Sequence, residues 1–186
     1  QNLEEVIVSS IRVKQNAPIA FTNVSKGELG KKNLGQDLPI LLNSLTSVVT
    51  TSDAGAGVGY TGIRIRGINA QSTNITINGI PYNDAESLGT YWVDLPDFAS
   101  SVENLQVQRG VGTSTNGSSA FGASINILTD LISKNSYFEN SNSVGSYNTI
   151  KNTFKFSTGI LNDYFEFSGR LSKIDSDGYI DRASSD

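Results

Sequence analysis

Residues 107–127 read VQRGVGTSTNGSSAFGASINI, and the fold turns on whether they cradle a phosphate or connect two strands. Gly112 and Gly117 stand at the spacing of a P-loop, directly after the strand-like NLQVQR of residues 104–109. A P-loop needs a lysine after its second glycine to reach the phosphates, followed by Ser or Thr for magnesium. Ser118 occupies the lysine place. Beyond it, SAFGASINILT alternates Ala123, Ile125 and Ile127 with Ser124 and Asn126. That is the period of a half-buried strand, not of the helix whose N-terminus would hold a phosphate. The glycines therefore need a role other than nucleotide binding.

Composition narrows the function further. The 186 residues suffice for one domain and part of a second. With 37% hydrophobic residues, 18 glycines and abundant Ser, Thr and Asn, the chain favours β structure with many turns. A net charge of −4 and no clustered basic face argue against nucleic acid as a partner. His and Cys are both absent, which removes Ser-His-Asp and Cys-His nucleophiles, ordinary zinc sites and disulfides. No run approaches the roughly 20 apolar residues of a spanning helix, so a membrane role would have to use strands. The start at Gln1, with neither Met nor a leader, reads as a mature or trimmed end.

Outward from the opening stretch, LEEVIVSS at residues 3–10 has two readings, an ordinary edge strand or a strand offered to another protein's sheet. GQDLPILLNSL at 35–45 predicts a short helix, with Leu38, Leu41, Leu42 and Leu45 on one stripe and Pro39 in the first turn. TSDAGAGVGYTG follows as a small, flexible stretch, then IRIRG with Ile63 and Ile65 on one face and Arg64 and Arg66 on the other. In TNITINGIPY, Asn78-Gly79 is a strong hairpin signal, because a type I′ turn needs positive φ at both positions. After the loop NDAESLGTYWVDLPDF, VENLQVQR supplies another strand. Residues to about 130 thus read as a small mixed α/β unit.

The texture then changes. TIKNTFKFSTGI and DYFEFSGRLSKI predict long strands joined by LND, with Phe154, Phe156, Phe165, Phe167 and Leu171 opposite Lys155, Glu166, Ser168 and Arg170. A transmembrane barrel shows this two-residue alternation over 9–11 residues, apolar toward lipid and polar toward the lumen, and so does a sandwich edge. Two or three strands cannot close a barrel, so the chain reads as a fragment of something longer.

These motifs, in order, resemble the plug domain of a TonB-dependent outer-membrane receptor followed by its first barrel strands. EEVIVSS resembles a TonB box, DLPILLNSLTSVV the plug helix, GIRIRG the first arginine-glycine strand, ITINGIPY the family's hairpin, and residues 102–129 its long closing motif. Val111 stands where the family often has proline, and Asn116-Gly117 replaces the usual Tyr-Gly, a form similar to Bacteroidetes-type receptors. The resemblance implies an α+β plug with a small mixed sheet and short helices, then antiparallel barrel strands. It places the TonB box and linker in 1–12, the plug in 13–132 and the first barrel strands in 133–186. The glycines of the opening stretch would then allow close backbone approach within a packed connection.

The implied function is import of a scarce ligand, most often a ferric siderophore, with no catalysis and no cofactor. The implied partners are TonB with its ExbB/ExbD energising complex, outer-membrane lipid and, in some members, a surface lipoprotein. Glu4, Glu5, Val6, Ile7, Val8 and Ser9 would form the TonB box. Tyr60, Gln71, Tyr91 and Trp92 lie on loops expected to face outward and are candidates for ligand contact; Trp92 packing against neighbouring loops is the alternative. Arg66 and Arg109 are candidate plug–barrel contacts to carboxylates on barrel strands, the alternative being bonds to plug carbonyls. A soluble extracellular β-rich binding or adhesion module is the rival class. A carboxylate enzyme built on Asp84 and Glu86, or on Asp94 and Asp97, is the third.

Overall fold

The computed structural model describes residues 12–14, 16–111 and 120–184; EEVIVSS and the whole of GTSTNGSS lie outside them. Ten strands form three sheets. In the central sheet, β1 (Ala20–Ser25), β6 (Val102–Arg109), β7 (Ala123–Thr129), β4 (Thr73–Ile77) and β5 (Ile80–Pro81) lie in that spatial order. Only β4 and β7 pair in parallel. The stretch that opened the question is therefore strand, connection, strand, with β6 and β7 antiparallel neighbours.

Alternation gives the sheet two unlike faces. Ile75, Leu105, Val107, Ile125 and Ile127 form one core with Leu29, Leu38, Leu41, Leu42, Ile63, Ile65 and Trp92. The opposite face carries Asn74, Thr76, Gln106, Gln108, Ser124 and Asn126, all buried. Across it, Gln106 donates to Asn23 Oδ1 at 2.9 Å, Gln108 to Gln106 Oε1 at 3.0 Å, and Thr76 to Asn126 Oδ1 at 2.8 Å. Buried amides need such partners to offset desolvation.

Gly122 explains part of the glycine content. Its N–H donates to Ser72 O at 2.9 Å and its carbonyl accepts from Gly110 N at 2.7 Å, while an added Cβ would stand 2.3 Å from Ile68 Cγ2. The connection lies too close to the 67–72 turn for any side chain there.

A hairpin of β2 (Val48–Ser52) and β3 (Thr61–Ile65) packs beside this unit. Asn78 and Gly79 both take positive φ, 51° and 84°, as the hairpin reading requires. The expected helix over 35–45 is shorter: α2 spans Leu38–Leu41 only. The chain after it winds through i+3 bonds, Leu42 N to Pro39 O and Leu45 N to Leu42 O, which carries the leucine stripe into the core without a second α-turn. A preceding helix, α1 (Lys26–Lys32), begins at a Ser25–Glu28 capping box. The Ser-x-x-Glu spacing could have revealed it.

The last sheet is an antiparallel meander of β8 (Tyr137–Val144), β9 (Ile150–Leu161) and β10 (Phe165–Asp175). Its burial is inverted relative to a soluble sheet. Lys151, Thr153, Lys155 and Ser157 are buried against the α+β unit, whereas Phe165, Phe167 and Leu171 point away from it, Phe167 at 64% exposure. Phe138 meets Phe154 edge-to-face at 4.3 Å and Phe156 meets Phe167 at 5.7 Å, forming an apolar outer belt. Glu166 accepts from Ser133 N at 2.9 Å and Arg170 reaches Asp97 on the inner side, so the two faces fall as the alternation predicts. Among the described residues no helix is long and apolar enough to cross a membrane, which says nothing of strands.

With Phe167 outward, Phe167→Arg in the full-length protein should cost about 2–4 kcal/mol of bilayer folding if it lies near the midplane, while Ser168→Gln should cost little. Denaturant titration of folding into lipid vesicles reads both; equal losses would mean that the outer belt does not face hydrocarbon.

Candidate functional site

Two regions gather polar and aromatic groups. At one end of the fold, the β2–β3 loop meets the segment after β10: Tyr179 N donates to Ala54 O at 2.8 Å, and Tyr179 stacks edge-to-face on Tyr147 at 5.4 Å. Gly55, at φ 74°, would place a Cβ 2.8 Å from Tyr179 Cβ. Tyr60 and Tyr91 are 65% and 50% exposed, and Gln71 is exposed on a short 3₁₀ turn. No hydrogen bond or ring contact joins these three among the described residues. Trp92 corrects an expectation. It is 3% exposed and belongs to the core, because the 3₁₀ turn Trp92–Asp94 rolls it inward while Tyr91 stays out.

Arg66 and Arg109 also differ from the expectation of barrel carboxylates. Arg109 Nε donates to Thr46 O at 2.9 Å and Nη2 to Thr22 Oγ1 at 2.7 Å, both within the α+β unit. Its guanidinium pKa is lowered by burial and then by neighbouring Arg66. Arg66 is exposed, in the left-handed region at φ 55°, with its N–H bonded to Ser47 O at 2.8 Å. Neither arginine forms an ion pair among the described residues. Inward positions on β9 and β10 carry Lys151, Lys155 and Arg170 as well as Glu166, whose carboxylate bonds Ser133 and Ser157 and neither arginine.

The second region is where those cations go. Asp97, fully buried at its side chain, pairs with Lys151 Nζ at 2.7 Å and Arg170 Nη1 at 3.0 Å. It also accepts from Thr153 at 2.7 Å, Ser172 at 2.6 Å, Ser100 at 2.7 Å and Asn33 at 3.1 Å. Its backbone carbonyl takes a further bond from Arg170 at 2.7 Å. Burial alone would push the carboxyl pKa up, but the bonds from Lys151, Ser172, Ser100 and Thr153 outweigh it and hold Asp97 well below the usual carboxylate range. A left-handed backbone at φ 49°, which Asp tolerates better than most residues, aims the carboxylate at the wall. Nearby, Asp130 pairs with Lys155 and with Lys26 at 2.6 Å. Burial opposes its ionisation, and the lysine bonds again win.

Residues 13–124 match the TonB-dependent Receptor Plug Domain family. This chain belongs to that family. It is 30% identical over 183 residues, 96% of its length and 29% of the relative's, to the vitamin B12 transporter BtuB of Vibrio vulnificus. In fold it is similar to the siderophore receptor PirA from Acinetobacter baumannii, with TM-score 0.60, 20% identity, and coverage of 95% of this chain and 26% of that one. Similarity to P. aeruginosa FpvA, solved bound to a heterologous pyoverdine, reaches TM-score 0.66 at 14% identity, covering 87% of this chain and 21% of that one. The chain thus spans under a third of the length of these proteins. The family is one of outer-membrane receptors and transporters, not enzymes.

The α+β unit is accordingly a plug and the meander a piece of wall, with Asp97 and Asp130 as plug acids facing wall bases. Sequence reasoning weighed Asp97 only as half of a possible catalytic pair and passed over Asp130 and Lys151. The lysines on the inward face of a lipid-facing strand were the available signal, since a buried cation requires an acid.

Asp97→Asn should leave Lys151 and Arg170 uncompensated and cost about 3–5 kcal/mol. In the full-length receptor this would appear as earlier loss of the plug in denaturant, or as raised ion conductance. Because the folded pKa is depressed, the stabilisation is present above pH ~4 and lost only as pH falls toward the folded value. Wild-type conductance should therefore stay flat from pH 8 to 5; a leak opening in that window would contradict this assignment.

Proposed function

We propose that this chain is the plug and first wall strands of a receptor that imports a scarce small ligand across the outer membrane, a ferric siderophore being the proposed cargo. The division is 1–12 for the TonB box and linker, 13–132 for the plug and 133–186 for the wall. One observation carries the reading: β9 buries Lys151, Thr153, Lys155 and Ser157 against the plug and exposes aromatic residues on its other face. A soluble β-rich module would show the reverse. A siderophore receptor and a vitamin B12 transporter among the similar proteins support a small cargo.

In this scheme the ligand meets the loop end through Tyr60, Gln71 and Tyr91, with Trp92 anchoring the last. Glu4–Ser9 then pairs with TonB, which draws on the ExbB/ExbD complex, and a surface lipoprotein is a further proposed partner in the assembly. Exposed Arg66 remains a proposed contact to wall strands beyond β10, whereas Arg109 spends its Nε and Nη2 within the plug. The plug is the moving part, and no bond is made or broken.

Val8→Pro removes a backbone donor needed for strand addition. Uptake of labelled ferric siderophore by cells should fail while surface binding stays near wild type. Tyr60→Ala should do the opposite first, weakening surface binding about 3- to 30-fold if one aromatic contact is worth roughly 0.5–2 kcal/mol. Normal uptake by the Val8→Pro receptor would remove this segment from the coupling step.

A further inference from the structure

Asp37 stands at the N-cap of α2, yet its side chain makes no capping bond. An Asp in that place ordinarily accepts from the second or third helical N–H. Here the carboxylate turns to the loop between β2 and β3 instead. Thr61 Oγ1 donates to Asp37 Oδ2 at 2.9 Å, and the nearby Gly59 amide pulls the carboxyl pKa down. The Asp37 N–H donates to Gly57 O at 2.8 Å. One residue therefore grips the returning arm of the loop at positions 57 and 61. Across the loop, Gly57 N donates to Ser52 Oγ at 3.0 Å and Asp53 N to Tyr60 O at 3.0 Å. Gly57, at φ 84°, holds a backbone conformation that strains other residues, and a Cβ there would stand a tight 3.2 Å from both Gln36 Cγ and Ile40 Cγ1.

Asp37 is 3% exposed and forms no ion pair among the described residues. The charged groups on the elements packed around it are committed or turned away. Lys32 bonds Ser44, Asp53 and Arg64 are exposed, and Lys151, whose stem touches Gly35, spends its ammonium on Asp97. The contrast with Asp97 is direct: two buried plug carboxylates, one saturated by cations, the other held by neutral donors alone. We propose that Asp37 is a positioning residue that sets the shape of the 52–60 loop and so the presentation of Tyr60, holding the loop tightly when neutral and loosely when ionised. This rests on the reading of that loop as ligand-facing.

The direction follows from desolvation. Burial pushes the Asp37 carboxyl up to about 6, against the opposing pull of the Thr61 hydroxyl and the Gly59 amide. A folded pKa raised above the unfolded value means that the closed loop binds the proton more tightly. Its stabilisation is full below pH ~4, declines as pH rises, and is gone above the folded pKa near 6.

The test is hydrogen–deuterium exchange of the 52–60 backbone in the full-length receptor, corrected for intrinsic exchange, with no ligand present. Wild-type exchange should be about tenfold faster at pH 7.5 than at pH 5, and Asp37→Asn should flatten that dependence. Thr61→Val, which keeps the carboxyl and removes one donor, should retain the dependence with its midpoint moved upward. A flat wild-type profile overturns the proposal whatever the variants do, and so does an unchanged profile in Asp37→Asn. Because the readout needs no ligand, weak binding by Tyr60→Ala bears on the ligand site alone, and a flat exchange profile bears on Asp37 alone.

Discussion

A carboxylate with no solvent exposure must be compensated where it stands, and Asp97 imposes that requirement on three separate parts of the chain. Burying an ionised group without partners costs many kcal/mol, so the left-handed turn before residues 98–101, the inward face of β9 and the inward face of β10 have to be in register together. Thr153 and Ser172 are paired directly across β9 and β10, and both hydroxyls land on one oxygen of Asp97. A shift of one residue in either strand would turn these groups outward and leave the charge stranded. The ion pair thus acts as a register mark between plug and wall more than as a source of net stability, since a buried pair seldom outperforms an apolar contact of equal size.

Polarity at this seam also sets what separating plug from wall would cost. A plug packed on its wall through leucines would be held by dispersion and desolvation, with nothing to replace those contacts on separation. Hydroxyls, lysines and carboxylates can exchange partners with water as they part, so each lost bond is largely recovered. The same holds on the other side of the central sheet, where a row of neutral amides is buried instead of an apolar surface. The plug keeps its single apolar core on one side of its sheet and presents hydrogen-bonding groups on the other.

Much of this was legible in the sequence because it rests on period and local chemistry. Alternation fixed both faces of β7, β9 and β10, and Asn78-Gly79 announced its hairpin. The connection after β6 lacked the lysine that a phosphate site demands. What escaped depended on distance in the chain. Asp97 lies 54 and 73 residues from Lys151 and Arg170, so an acidic loop residue looked like any solvated turn. The strand 20–25 escaped because Ala20-Phe21-Thr22 carries no clear alternation of its own and gains its place by pairing with β6. Arg66 and Arg109 were recognised as constrained, and of the two readings offered for them Arg109 follows the bond to a plug carbonyl, at Thr46, with a second bond to Thr22; which carbonyl it reaches is set by the fold and no side-chain pattern encodes it.

Trp92 shows how the loop end is built from the same constraint. Tyr91 and Trp92 are adjacent and equally aromatic, so composition gives both the same claim to ligand contact. A 3₁₀ turn separates them by about 120° of rotation, and the larger, less polar ring takes the buried side, where its area contributes most. The exposed tyrosine is then carried by a backbone that Trp92 nails to the core formed by Leu38, Ile65 and Val102. Tyr60 has no such neighbour: Val58 is buried, but the arm it belongs to is gripped chiefly through Asp37. Two tyrosines at one end of the plug are therefore held by different physics, one by apolar burial that is indifferent to pH, the other by a carboxyl whose charge is not.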